Sequence, residues 1–148
     1  TIDIQTVKKI FSNIESLYGI NCDLLKQIQE RMDRWDEQCE LGDVFLGVAP
    51  FLKMYTLYSG QYEEGLKIFS SLVSAHPDFA AYTKHLQAQT RSPTMSLEHL
   101  LIMPVQRIPR YNLLLSDLIK KTSESHPDFV NLNKALLSTK QVADHVNK

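Results

Sequence analysis

The amino-acid sequence predicts an all-α protein, an elongated bundle of long helices. Three observations favour this class. Apolar residues recur every three or four positions along most of the chain, and no segment shows the apolar–polar alternation of a strand. The third is composition, because a chain of 148 residues that is 43% hydrophobic can form its own core without metals or disulfides. We therefore assign residues 1–148 to a single helical domain.

The first predicted helix covers residues 7–35 and buries one stripe of its surface. Its apolar side chains keep the three- and four-residue spacing of a helix throughout, and only Gly19 interrupts the pattern. A helix of about 30 residues is roughly 45 Å long, so we expect an elongated molecule rather than a round one.

Two shorter helices are predicted to follow. A turn at residues 42–43 leads into a helix over residues 44–58, which Pro50 should bend because proline lacks the backbone N–H that a helix uses. A Ser-Gly pair at residues 59–60 interrupts that pattern, and a further helix is predicted over residues 62–73.

The tetrapeptide His-Pro-Asp-Phe occurs twice, at residues 76–79 and 126–129. Proline is tolerated at the first helical position and aspartate suits the positive end of the helix dipole, so each copy predicts a helix start. The residues that follow the two copies do not match, which argues against an internal repeat. Between them, a loop at residues 90–94 precedes a long helix beginning near the N-cap Ser96, and the last helix covers residues 129–146.

Composition excludes several classes of protein. The longest apolar stretch, residues 44–52, is shorter than the ~18 residues that span a bilayer. A balance of 16 basic against 17 acidic side chains argues against a nucleic-acid partner. On one helix Cys22 and Cys39 would lie ~25 Å apart, too far for a disulfide, so we expect free thiols in a reducing, cytoplasmic compartment. No His or Cys stands at metal-ligand spacing from either cysteine, and we expect neither a metal nor another cofactor.

The charge is distributed unevenly along the chain. Residues 1–100 carry a net charge of −4, whereas residues 101–148 carry +3. The last third is therefore the more suitable face for an acidic partner. Two solvated helix surfaces of opposite charge would explain the same numbers equally well.

The segment at residues 97–122 departs from a simple core helix. It contains Pro104 and Pro109, and a proline inside a helix usually costs ~3 kcal/mol or more, so the fold must offset both. Helical spacing also places an apolar, polar and basic strip along one side of this segment. The strip consists of Met103, Gln106, Arg107, Arg110 and Leu114.

A purely structural role for the strip is the competing interpretation. In that interpretation Arg107 and Arg110 form ion pairs with acidic residues of the first helix, and Gln106 caps a carbonyl that a proline leaves free. The acidic residues available there are Asp33, Asp36 and Glu37.

The same segment resembles the third conserved region of the Dbl homology domain, the exchange-factor domain for Rho-family GTPases. That region has two leucines, a short gap, Pro-Val-Gln-Arg-Ile-Pro-Arg-Tyr, three leucines and a threonine. These occur here at residues 100–101, 104–111, 113–115 and 122. Residues 10–14, 41–45 and 142–147 are similar to the second helix, the second conserved region and the final helix of that family.

The resemblance implies a helical bundle that binds a Rho-family GTPase, reshapes its switch regions, and expels Mg²⁺ and GDP until GTP enters. Such a domain makes and breaks no bond; it weakens nucleotide affinity because it binds the nucleotide-free form more tightly. Its working residues are therefore contact residues. By resemblance these are Met95, Met103, Gln106, Arg107, Arg110, Leu114, Lys140 and Asn147.

The chain differs from the family pattern at several points. The first conserved region, a helix whose glutamate contacts switch I, has no counterpart here, so we expect a bundle that is incomplete at its N-terminus. The lysine that usually precedes Pro-Val-Gln-Arg is Met103, and the asparagine thirty-seven positions later is Lys140. By the same resemblance, Met95 aligns with an apolar position that, in this family, touches the GTPase strand used for partner discrimination.

Two functions remain open, an exchange factor and a helical scaffold or pseudo-exchange module that binds a GTPase unproductively. A hydrolase is disfavoured because no Gly-x-Ser-x-Gly, phosphate loop or His-Glu-x-x-His occurs.

A bundle that lacks its first helix would have an uncovered apolar groove, and we expect such a fragment to dimerise or to swap a segment. A pleckstrin homology domain, which usually follows in this family, would bring the domain close to a membrane.

Overall fold

The computed structural model describes residues 2–147, which form seven α-helices and no strand. The predicted all-α class is confirmed. In chain order the helices are α1 (Ile4–Phe11), α2 (Ile14–Met32), α3 (Gly42–Leu52), α4 (Met54–Ala75), α5 (Pro77–Gln89), α6 (Leu97–Lys120) and α7 (Phe129–Val146). The longest of them, α6, has 24 residues and is therefore roughly 36 Å long.

The first predicted helix is broken at Ser12 and not at Gly19. Ser12 has a φ of 50°, in the left-handed region, and its hydroxyl donates to the side-chain oxygen of Gln61 at 2.6 Å. Asn13 reinforces the break because its amide donates to the Met54 carbonyl at 2.9 Å. Gly19 lies inside α2 without disturbing it, since a helical glycine costs only about 1 kcal/mol.

The interruption predicted at residues 59–60 is wrong, whereas the predicted effect of Pro50 on the second helix is confirmed. The chain turns at Lys53 and then continues through the Ser-Gly pair at 59–60 as the uninterrupted α4. Pro50 explains the break, because it offers no N–H to the Leu46 carbonyl and α3 ends two residues later. Gly60 is tolerated because it faces open space.

Two further boundaries differ from the prediction: α2 ends at Met32 and not at residue 35, and residues 42–43, predicted as a turn, are the first two residues of α3. The remaining boundaries are confirmed. Helix α4 ends at Ala75 and Pro77 occupies the first turn of α5. The hydroxyl of Ser96 accepts a hydrogen bond from the His99 N–H at 3.2 Å, as expected of an N-cap. Helix α7 covers the predicted residues of the last helix.

Helix α4 is the centre of the bundle, because it packs against each of the other six helices. The larger apolar core lies among α2, α3, α4, α6 and α7, and Leu52, Ile108 and Leu132 are fully buried in it. A smaller core joins α1 to α4 and α6 through Ile10, Phe69 and Leu101. These two cores fix α6, whose side chains contribute to both.

The turn before α7 holds the start of α3. Asp128, only 3% exposed, accepts hydrogen bonds from the N–H groups of Leu41 (2.7 Å) and Gly42 (2.9 Å). His126 accepts from the Asp128 N–H at 3.1 Å through Nδ1, so its Nε2–H donates to the Glu37 carbonyl at 2.8 Å. The second His-Pro-Asp-Phe copy is thus a tertiary clamp.

Two observations concern the expected surroundings of the chain. Within residues 2–147, no helix combines the length and apolarity required to cross a bilayer. Cys22 and Cys39 are both free thiols, the first on α2 and the second in the segment that follows it.

Candidate functional site

Helix α6 carries the predicted strip and stays continuous through Pro104 and Pro109. One side of it is anchored in the cores by buried residues such as Ile108 and Leu115. In the turn that Pro104 disturbs, the Tyr58 hydroxyl donates to the Leu101 carbonyl at 2.6 Å and supports the backbone. Tertiary packing therefore offsets the cost of the two prolines.

A buried polar network fixes the rotation of α6. The Tyr111 hydroxyl donates to the side-chain oxygen of Asn21 at 2.6 Å, and the Asn21 amide donates to the Tyr55 hydroxyl and to the Leu17 carbonyl. Burial raises the pKa of Tyr111 to about 12 and also raises the pKa of Tyr55, so both phenols stay protonated at neutral pH. The Phe45 ring packs edge-on against Tyr111 with 6.0 Å between centroids.

The predicted ion pairs of Arg107 and Arg110 with the first long helix are wrong. The Arg107 guanidinium carbon lies 5.8 Å from the centre of the Tyr111 ring, in a cation–π contact. Neither arginine has a carboxylate within ion-pair distance among residues 2–147. Gln106 caps no proline-freed carbonyl there either, because its exposed side chain makes no hydrogen bond in the described chain.

The basic residue that does pair on the first long helix is Arg31. Its guanidinium contacts both carboxylate oxygens of Asp43, at 3.0 and 2.7 Å, and also donates to the Glu40 carbonyl at 2.7 Å. The hydrogen bond from Arg31 lowers the pKa of Asp43. This pair ties α2 to the start of α3 and leaves the arginines of α6 available.

The strip divides into two parts. Met103 and Arg107 lie towards α2 and line a small cavity of about 210 Å³. Gln106, Arg110 and Leu114 are exposed, and Leu114 keeps 58% of its surface in contact with solvent. The other residues lining the cavity are Ile14, Leu17, Tyr18, Asn21, Tyr55, Leu100 and Pro104.

Helix α7 brings two further predicted residues beside α6. Lys140 is exposed on α7, and Asn147 is exposed just past its end, where its N–H donates to the Ala143 carbonyl at 3.0 Å. A short connection makes α6 and α7 antiparallel neighbours. Both helices rise by the same distance per residue. Along the common axis of α6 and α7, Lys140 is therefore at about the same height as Arg110, and Asn147 at about the same height as Met103.

Met95 lies apart from the others. It is half-buried in the loop before α6, and its N–H donates to the Ser92 carbonyl at 2.9 Å. Along the helix axis it is ~27 Å from Leu114, so the predicted residues cover an extended face and not a pocket. A face of this length suits a folded protein partner better than a small molecule.

The sequence analysis missed the most exposed leucine of α6, Leu113, which is 68% exposed. The signal was present in the run of three leucines, because consecutive residues of a helix cannot all face the core. Only Leu115 of that run is buried. It also missed Asn21, a polar residue within the apolar stripe of α2 that bonds to both buried tyrosines.

These features define an all-helical domain with an extended face of exposed basic and apolar side chains. The family model described as the RhoGEF domain matches residues 1–147. The chain belongs to this family, the exchange-factor domains of Rho-family GTPases, which regulate nucleotide exchange.

Several curated proteins are similar over nearly the whole chain. The human "FYVE, RhoGEF and PH domain-containing protein 6" is 35% identical over 146 residues, which are 99% of this chain and 10% of that protein. The "Guanine exchange factor for Rac 30" of Dictyostelium discoideum is 37% identical over 148 residues, which are 99% of this chain and 9% of that protein. The chain thus spans about a tenth of the length of these relatives.

Solved structures of exchange factors share the fold. A structure of the Vav1 exchange factor with its PH and C1 domains superimposes with a TM-score of 0.90 at 27% identity, covering 99% of this chain and 39% of that one. The linker-DH/PH domains of p115-RhoGEF give a TM-score of 0.89 at 20% identity, covering 99% of this chain and 45% of that one, which bears on the fold alone.

Proposed function

We propose that this domain binds a Rho-family GTPase on the face formed by α6 and α7, remodels its switch regions and promotes release of GDP. The observation that carries the proposal is the state of the α6 surface. Arg110 is exposed and has no ion-pair partner within residues 2–147, and it lies beside the exposed Leu113 and Leu114. A cation next to exposed apolar side chains is typical of a surface that contacts another protein.

The Tyr111 network supports this proposal because it makes the face rigid. Tyr111 and Asn21 hold α6 from below through buried hydrogen bonds, while Arg107 packs over the Tyr111 ring. A preorganised surface loses little conformational entropy when it binds. More of the binding energy is then available to distinguish the nucleotide-free GTPase from the loaded one.

The proposed mechanism is thermodynamic linkage. If the domain binds the nucleotide-free GTPase more tightly than the GDP-bound form, it must weaken GDP affinity by the same factor. A tenfold preference corresponds to ~1.4 kcal/mol, so a few added contacts on α6 and α7 are enough for a large effect. No proton transfer or nucleophile is needed for this step.

A pseudo-exchange module is the second candidate, and Met103 is the observation that favours it. The family resemblance expects a lysine at this position, whereas Met103 is half-buried beside α2 and uncharged. A domain without that charge could bind a GTPase yet fail to favour the nucleotide-free form. Met103→Lys should then raise the exchange rate, whereas an active domain should gain little.

The experiment measures release of fluorescent GDP from a panel of Rho-family GTPases, together with complex formation by size-exclusion chromatography. We expect faster release for at least one GTPase and a stable complex only when nucleotide is removed. Binding without faster release would identify the pseudo-exchange module. Absence of both from the whole panel would refute the GTPase proposal.

A further inference from the structure

Helices α3 and α7 run side by side in the same direction but are not equally close along their length. At their N-terminal ends a Cβ atom added to Gly42 would lie 2.6 Å from the Leu132 nitrogen, so the backbones touch there. Towards their C-terminal ends the helices separate, where α3 stops and α4 begins. The opening is a groove of about 800 Å³.

The lining of the groove suits a small amphipathic molecule. Its inner wall is apolar and consists of Leu46, Ala49, Pro50 and Val142. Its volume falls in the range of ~300–1,000 Å³ that is usual for small-molecule sites. The apolar wall and the volume of the groove suit a ligand with a hydrocarbon body better than an ion or a sugar.

The polar groups of the groove select the charge of the ligand. Lys53 and His145 line it, and no carboxylate does. Lys53 has no ion-pair partner within residues 2–147. Nδ1 of His145 lies 2.6 Å from the Gln141 carbonyl, which can only accept, so Nδ1 carries the proton and Nε2 of the neutral ring can only accept a hydrogen bond. Lys53 is therefore the group of the groove that can bind an anion.

We propose that this groove binds a small amphipathic anion of the fatty-acid type, with its hydrocarbon chain against the apolar wall and its carboxylate near Lys53. The groove is separate from the proposed GTPase-binding face. On α7 the groove is lined by Ser138, Gln141, Val142 and His145, which lie about 100–160° around the helix from Lys140. The proposal therefore holds or fails independently of nucleotide exchange.

The test titrates decanoate into the chain and follows backbone amide shifts by NMR. Decyltrimethylammonium, with the same chain length and the opposite charge, is the matched probe. We expect saturable 1:1 binding of decanoate, with shifts confined to α3, the start of α4 and the second half of α7. Lys53→Gln should weaken it about three- to fivefold, as for one exposed ion pair, and the control Lys67→Gln on α4 should not.

Filling the groove provides the second test. Ser138→Trp and Thr56→Trp place an indole on opposite walls, so either variant that keeps the parent melting temperature should abolish saturable binding. Three results would overturn the proposal. The first is a set of shifts that do not saturate and spread over α2 and α6, which would mean an adventitious additive only. The second is equal affinity for the ammonium probe. The third is unchanged decanoate binding in a folded tryptophan variant.

Discussion

Tyr111 shows at the scale of one residue how the candidate site is connected to the core. Its ring packs against Phe45 in the larger core and supports Arg107 at the surface, while its hydroxyl donates to Asn21 on another helix. One side chain therefore links α2, α3 and α6. With only 9% of its surface exposed, Tyr111 supports the α6 surface from below.

Tyr111→Phe should destabilise the fold because it removes the hydroxyl that donates to the half-buried Asn21 side chain. Loss of one such hydrogen bond costs roughly 0.5–1.5 kcal/mol, at about 2–4 °C in melting temperature per kcal/mol for a domain of this size. Thermal unfolding followed by circular dichroism measures the change. Tyr82→Phe is the matched control, since Tyr82 is exposed on α5; equal melting temperatures for both variants would refute the network.

The buried tyrosines also predict how stability depends on alkaline pH. Burial raises the pKa of Tyr58 and of Tyr111 to about 12 in the folded protein, whereas an unfolded tyrosine ionises near pH 10. The unfolded state therefore loses these protons first, and the contribution is fully present below pH 10 and lost as pH rises through about 12. Urea unfolding between pH 8 and 12 should show a falling free energy of unfolding, with a shallower fall in Tyr111→Phe. A flat profile would contradict the burial.

The two His-Pro-Asp-Phe copies show at the scale of elements why identical sequences have different roles. Asp128 is buried and holds the first N–H groups of α3, whereas Asp78 is exposed in the first turn of α5. The difference arises because α3 packs against the start of α7 and no element packs on Asp78 in the same way. Local sequence predicts both helix starts but carries no information about this long-range contact.

Asp128→Ala should cost roughly 1–3 kcal/mol, because the N–H groups of Leu41 and Gly42 lose their acceptor inside the protein. Asp78→Ala provides the same substitution in the same tetrapeptide and should change stability by less than about 0.5 kcal/mol. Chemical denaturation of both variants measures the difference. Equal losses would mean that the clamp contributes nothing beyond a helix N-terminus.

Two glycines of α3 provide a second matched pair. A Cβ atom at Gly42 would meet the Leu132 nitrogen and the Asp128 carboxylate at 2.6 Å, whereas at Gly47 it would meet nothing within 4 Å. Gly42→Ala should therefore separate α3 from α7 and destabilise the fold, while Gly47→Ala should stabilise it by about 0.5–1 kcal/mol. Melting temperatures that move in the same direction would contradict the close packing of these helices.

The sequence predicted a helix end correctly where residues next to that end determine it. The start of α6 at Ser96 and the extent of α7 follow from a cap and from spacing, and both were predicted. The break at Ser12 was not predicted, because a side chain from α4 determines it. At Pro50 a bend was predicted, but not that α3 would end at Leu52. Glycines inside strong helical patterns were given too much weight.

The candidate site was predictable to a similar degree. Spacing places Gln106, Arg110 and Leu114 on one side of α6, and all three are exposed. The ion pairs expected for Arg107 and Arg110 could not be tested from sequence, because their existence depends on which acidic residues the tertiary fold brings close. The acidic residue that was brought close to an arginine is Asp43, whose partner is Arg31.

At the scale of the whole molecule, the bundle serves to present one face. Helix α4 contacts every other helix, and the two apolar cores hold α6 along most of its length. In the proposed function, the exposed sides of α6 and α7 are the stable surface on which the partner protein rearranges. A domain that acts by binding needs this asymmetry, with the domain rigid and the partner deformable.

The most direct test of the central claim is the rate of GDP release from a responsive Rho-family GTPase with one charge reversed. Arg110→Glu changes the centre of the proposed face, and Lys84→Glu makes the same reversal on α5, which packs mainly against α4. We predict that Arg110→Glu lowers the rate at least about tenfold, or ~1.4 kcal/mol, with an unchanged melting temperature, and that Lys84→Glu stays within about twofold of the parent. Parent-like exchange by a folded Arg110→Glu domain would contradict the account.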